Sequence, residues 1–241
     1  MKQVFLALLL ISLSTYCAFA QNKQSDREFE GFRGQVKTVT VEKADLKQSG
    51  DTAVEGARRP QKILTFDADG NLLIDKVYDG NGQEFDVRTY SFIDGERVVK
   101  HDVLSKNVIR MMPGPRKQDK QPVDPRYTAK IKHKYDSQGN QTEHAWLFPD
   151  GRPGLRYTYK REGNGSEEMV YRPDGSLSHG SKNKLDDKGN EVESTDVLPG
   201  YPPRPKTTYT YLEFDSQGNW TKRKQTRGDS TSIIYRTIVY Y

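Results

Sequence analysis

His133 and His144 flank a turn at Asp136–Asn140, and in one strand register their imidazoles would face each other across a hairpin. Two histidines so placed could share a metal. No third ligand accompanies them, since His101 and His179 fall in other segments, and the preferred reading is two ordinary strand histidines. Asp67-Ala68-Asp69-Gly70-Asn71 has the oxygen donors of a calcium loop. Its glycine stands fourth where an EF-hand needs it sixth, and no helical pattern flanks it. Glu143, Glu191, Glu193 and Glu213 could supply a carboxylate pair, but acidic residues are too frequent here for any pair to stand out. The serines show neither a nucleophile elbow nor a partnered histidine. No catalytic residue, metal or cofactor is therefore expected, and the chain reads as a non-enzyme.

The aromatic residues are the exception. Trp146, Tyr157, Tyr159, Tyr209, Tyr211 and Trp220, with Tyr235, could form a row on one sheet face. Flat rings suit sugars, because C–H faces pack on them while hydroxyls find polar groups at the edge. The plainer reading, and the preferred one, is that the rings are the packing of a thin sheet.

One turn recurs between these residues: an aromatic or apolar residue, then Asp, then Gly, usually followed by Asn. The fullest examples are Asp67-Gly70-Asn71, Asp136-Gly139-Asn140 and Asp215-Gly218-Asn219. Asp accepts from backbone amides two residues on, and Gly and Asn tolerate the positive φ of tight hairpins. Between turns the chain alternates, as in Lys62, Leu64, Phe66 and Arg88, Tyr90, Phe92. Strands joined by such short turns pair antiparallel with their neighbours. The expected fold is all-β, an antiparallel meander of repeated short hairpins in a single twisted or curled sheet.

The first twenty residues have the parts of a secretory signal: Lys2, an apolar run from Phe5 to Leu13, and Ala18-Phe19-Ala20 before a cleavage point. The run is too short to span a bilayer, so no transmembrane segment is expected in the mature chain. Cleavage after Ala20 removes Cys17, the only cysteine, and with it any disulfide. Residues 21–31 read as a flexible N-terminus and 32–241 as one β-repeat domain, with room for two halves, 32–104 and 128–241, about a proline-rich loop at 105–127. The net charge of +5 comes from mixed signs along the chain, which does not make a nucleic-acid footprint.

Tyr135-Asp-Ser-Gln-Gly-Asn140, Phe214-Asp-Ser-Gln-Gly-Asn-Trp220 and the opening Phe32-Arg-Gly-Gln-Val-Lys-Thr-Val-Thr40 resemble the YD-repeat (RHS-like) family, specifically its small exported bacterial members. The resemblance implies a β-repeat architecture and binding at the cell surface, and no catalytic residues. Together these readings lead to an expected secreted, periplasmic or cell-surface protein. It would act as an interaction or scaffold component of the envelope, with an envelope protein or a glycan as partner. The alternative is a carbohydrate-binding module using an exposed aromatic row.

Overall fold

The computed structural model describes residues 23–49, 52–103 and 126–241. The expected signal segment, 1–20, and nearly all of the expected 105–127 loop lie outside them. One short helix, α1 (Asp26–Phe29), precedes β1 (Val36–Ser49), β2 (Thr52–Glu55), β3 (Arg59–Phe66), β4 (Leu72–Tyr78), β5 (Glu84–Ile93), β6 (Glu96–Val103) and β7 (Arg126–Tyr135). Then come β8 (Gln141–Leu147), β9 (Pro153–Glu162), β10 (Gly165–Tyr171), β11 (Leu177–Leu185), β12 (Glu191–Val197), β13 (Thr207–Phe214), β14 (Trp220–Arg227) and β15 (Ser230–Tyr240).

From β3 to β15 each strand pairs with the next in sequence, and β3 pairs with β1. The all-β meander is as expected; its openness is not. β15 also pairs antiparallel with β1, from Val39↔Ile238 to Asp45↔Ser232, so β1 and β3–β15 close into a 14-strand barrel. The expectation of a twisted or curled sheet is corrected accordingly. Turn chemistry and alternation fix which strands are neighbours, but accumulated twist and curl decide whether the last strand meets the first. Closure removes both sheet edges. β2 stands outside the ring and pairs only with the far end of β1. β6 and β7 pair directly, Val98↔Lys130 and Val99↔Ala129, so the sheet runs on across the two expected halves.

The turn motif adopts hairpin geometry repeatedly. Asp67, Asp136 and Asp215 each accept at Oδ1 from the backbone N–H of Asn71, Asn140 and Asn219, at 2.8–2.9 Å. Asp186 does the same for Asn190 at 2.8 Å. The glycine before each Asn takes positive φ, +89° at Gly70. All four turns lie at one end of the barrel, because each follows an odd-numbered strand and precedes an even one.

The N-terminal segment crosses that end. Ser25 caps α1 in a capping box with Glu28. Gln24 N–H donates to Gly139 O (2.9 Å), Arg27 N–H to Gly70 O (3.0 Å), and Leu72 N–H to Asp26 Oδ2 (2.7 Å). A Cβ at Gly70 would come within 3.0–3.2 Å of Ser25 and Arg27, so the glycine permits this approach as well as the turn. The segment expected as flexible, 21–31, thus carries from Lys23 onward a helix tied to the turns. Beneath it Phe32 packs with Val36, Val39, Leu64, Phe66 and Leu72, all buried.

Cross-strand partners share a face, which sorts the chain into an inside and an outside. Apart from the Ala44–Ile233–Tyr235 cluster, the outer face is mainly lysine, glutamate and threonine, with ion pairs such as Lys134–Glu143 (2.9 Å), Lys182–Glu167 (2.9 Å) and Lys206–Glu193 (2.7 Å). A bilayer-spanning barrel carries an apolar outer band instead. Among the described residues no helix is long and apolar enough to cross a membrane.

Candidate binding site in the barrel interior

The inner face is polar and aromatic at once. The register carries one set of positions around the wall: Leu64↔Asp75, Asp75↔Arg88, Arg88↔His101 and Val99↔Ala129. It continues through Ile131↔Trp146, His133↔His144, His144↔Tyr157 and Val170↔Tyr157. The N-terminal segment reaches the same face: Phe29 packs edge-on against Tyr159 at 4.6 Å, and Asp26 pairs with Arg97 at 2.5 Å.

Two groups of side chains stand out. On β3–β9, Arg88 bonds Asp86 (2.7 Å) and lies 3.6 Å from Asp75, which also faces Lys62 at 3.6 Å. His101 pairs with Asp86 through Nε2. Burial pushes both carboxyls up. For Asp75 it prevails over Lys62 and Arg88, whereas for Asp86 the bonds from His101 and Arg88 win and hold it low. Trp146 lies beside His101 (5.9 Å) and Tyr157 (6.2 Å). On β12–β15, Tyr211 lies 5.9 Å from Trp220, and Arg223 lies over Tyr209 (4.1 Å) and Trp220 (4.4 Å).

Part of this inner wall has solvent-accessible area. Glu168 on β10 is exposed by area, yet burial raises its pKa, helped by Glu30 and opposed by Lys62. A group that water touches while protein surrounds it faces a hydrated interior. Lys62 is on β3 and Glu168 on β10, so their coupling runs across the barrel.

All six residues of the expected aromatic row are on the inner face. They do not form one exposed row: Trp146 and Trp220 are buried, and the set splits into Trp146-Tyr157-Tyr159 and Tyr209-Tyr211-Trp220 with β10–β12 between. Tyr235 is apart, on the outer face with Ala44 and Ile233 and with Arg58 over its ring at 3.5 Å. His133 and His144 are direct partners as one register allowed, with ring centroids 6.0 Å apart. Their Nδ1 atoms are engaged by Gln141 (2.7 Å) and the Tyr159 hydroxyl (3.0 Å). Burial, with His133 and Arg88, pushes His144 down to about 3, so it is neutral at physiological pH. Among the described residues no group of three or more His, Cys, Asp or Glu is placed to hold a metal.

The residues missed from the sequence are the inward charges: Asp75, Asp86, Arg88, Glu168, Arg223 and Arg236. One signal was available. Arg88 alternates with Tyr90, and an arginine in step with aromatic residues shares their face.

No family model matches the chain, and no curated protein matches it. Two solved structures are similar in shape. A porin-like protein from Bacteroides uniformis has TM-score 0.44 and 12% identity, covering 86% of this chain and 98% of its own. A LolA-superfamily protein from Nitrosomonas europaea has TM-score 0.30 and 8% identity, covering 86% of each chain. Likenesses this distant carry no inference about function.

Proposed function

We propose that this chain is an exported, non-catalytic binding protein of the cell envelope that holds a sugar-type ligand inside its barrel. One observation carries the reading: six aromatic rings share the inner face of the barrel with arginine, histidine and carboxylate, and Glu168 on that face keeps exposed area. Rings supply stacking area and the charged groups supply hydrogen bonds to hydroxyls, the usual division of labour in a small-molecule site. The reading relocates the sugar-binding role from an exposed row to the inside of the barrel.

Two competing roles are less well supported. Asp75 and Asp86, with pKa values pushed apart, are the kind of carboxyl pair that acid–base catalysis employs. They are only 5% and 4% exposed and His101 only 2%, too occluded to meet a substrate, which favours a structural network. A scaffold role would use the outer face, where lysine and glutamate are largely paired with each other.

A glycan array tests the proposal with wild-type protein and Glu168→Trp, which fills the interior from a water-accessible position. Binding by the wild type and its loss in the variant is the expected result. No binding by the wild type, or equal binding by both, removes the luminal site. Export is checked separately: N-terminal sequencing of the secreted product should begin at Gln21.

A further inference from the structure

We propose that Arg223 and Arg236 form an anion subsite inside the barrel that takes the carboxylate of an acidic sugar. The inference rests on the luminal binding reading above and narrows it to a charged substrate class.

Arg223 on β14 is the direct partner of Ile234 on β15, so Arg236, two residues on, is its diagonal neighbour on the inner face. Long side chains reach each other at that spacing. Both guanidinium groups lie on one indole: Arg236 is 3.6 Å and Arg223 4.4 Å from the Trp220 ring. Tyr209 backs Arg223 at 4.1 Å, and Phe32 backs Arg236 at 4.8 Å. The Nε atoms of both are buried with no hydrogen-bond partner. Among the described residues neither guanidinium is in an ion pair, whereas Arg88 and Arg97 each have an aspartate. Glu30 and Glu191 act on the pair only as longer-range charges.

Two like charges side by side in a partly dry interior are unfavourable. Burial, with Arg223, pushes Arg236 down to about 9, which still leaves it charged at neutral pH. The aromatic faces offset some of the cost, since each cation–π contact is worth about 0.5–2 kcal/mol. Arg223 shares a hydrogen bond with Tyr211, but the Nε–H of each arginine is left unused, and a guanidinium presents its donors in a planar fork that matches a carboxylate. A ligand carboxylate would satisfy both donors and relieve the repulsion between the two cations.

The test uses full-length mature protein, tri-galacturonate, and the methyl ester of tri-galacturonate, which keeps the rings and removes the charge. At constant ionic strength the Arg223 and Arg236 Nε–H signals in 15N NMR should shift saturably with the acid. By calorimetry the ester should bind about tenfold more weakly, as expected for loss of a charged hydrogen-bond pair. Arg236→Met and Arg223→Met should bind the acid no better than wild type binds the ester, and Arg236→Lys should recover part of the loss. Should the Met variants fail to fold, the wild-type NMR titration and ester comparison still decide. Equal binding of acid and ester, with both Met variants unaffected, overturns the subsite and leaves the luminal sugar site standing. A wild type that binds neither overturns the subsite as stated, and the glycan array then judges the luminal reading on its own.

Discussion

Arg33 and Asn219 clasp each other across 186 positions of sequence: Arg33 N–H donates to Asn219 Oδ1 at 2.8 Å, and Asn219 Nδ2 donates to Arg33 O at 2.9 Å. The same Nδ2 reaches the Tyr240 hydroxyl at 2.8 Å. One asparagine of a repeated turn thus joins the N-terminal segment to both β14 and the last strand. Among the described residues the side chain of its counterpart Asn140 bonds within its own turn, to Asp136 and Gln138. Asn219→Ala should therefore cost about 2–3 kcal/mol, because Asn219 is itself buried and three bonds to two other segments go with it, and Asn140→Ala about 0.5–1 kcal/mol. Urea denaturation of the two variants compares them directly; equal losses would mean that the clasp carries no stability.

This difference between equivalent turns marks the limit of what was legible in the sequence. The turns at Asp67, Asp136 and Asp215 were readable because each is decided within six residues. The alternation of Leu64 with Phe66, or Tyr157 with Tyr159, was readable for the same reason. The β1–β15 seam joins Val39 to Ile238, and no local pattern announces a pairing of that span. Residues 23–34 carry few apolar side chains. They are held partly by backbone carbonyls of the turns, such as Gly70 O and Gly139 O, which leave no trace in residue types, and partly by distant side chains such as Arg97 and Asn219. The six aromatic residues expected to share one sheet face do share one, while their charged companions were not named, since only closure makes that face an interior.

Asp26 and Arg97 pair at 2.5 Å with side chains only 16% and 11% exposed, tying α1 to β6. Removing one partner of a buried pair strands the other charge, at about 3–5 kcal/mol. Asp26→Asn should lose about that much, and Arg97→Met combined with it should recover part. A double-mutant cycle by denaturant unfolding reads the coupling, and additive losses would show that the pair is not coupled.

Two opposed sets of buried groups govern how stability responds to acid. Burial raises Asp75, Glu168 and Glu191 above their ordinary range. The native state then binds these protons more tightly than the unfolded chain, so the cost of their charge is relieved as pH falls through the raised values toward about 4. Asp86 is held low in the native state by His101 and Arg88 against burial, and Asp136 chiefly by its bond to Asn140. Their stabilisation is present above the unfolded carboxyl values and is lost as pH falls through and below about 4. His144, held down to about 3, and His133 and His179, also lowered chiefly by burial, work in the opposite sense, because the unfolded chain takes up their protons below about 6.5. Glu168→Gln should be more stable than wild type at pH 7 and lose that advantage as pH falls toward about 4, sparing the acid limb; a difference between variant and wild type that does not change with pH would contradict the assignment.

The seam between β12 and β13 is the thinnest in the ring. Only Glu193↔Thr208 and Ser194↔Thr207 are paired there, against nine pairs between β1 and β15. The chain between them, Leu198 to Lys206, contains Pro202, Pro203 and Pro205, which donate no backbone hydrogen bond. Lys206–Glu193 and Arg227–Asp196 span the seam as ion pairs at or near the surface, worth about 0–1 kcal/mol each. Local opening follows the weakest set of contacts. Amide hydrogen exchange should therefore be faster in Glu191–Val197 and Thr207–Thr210 than in Val39–Ala44 or Ile233–Ile238. Because Tyr209 and Glu191 face inward beside this seam, opening there also gives a ligand a lateral way in. Ligand binding should then slow exchange at β12 and β13 more than at the β1–β15 seam; uniform protection around the ring would rule this entrance out.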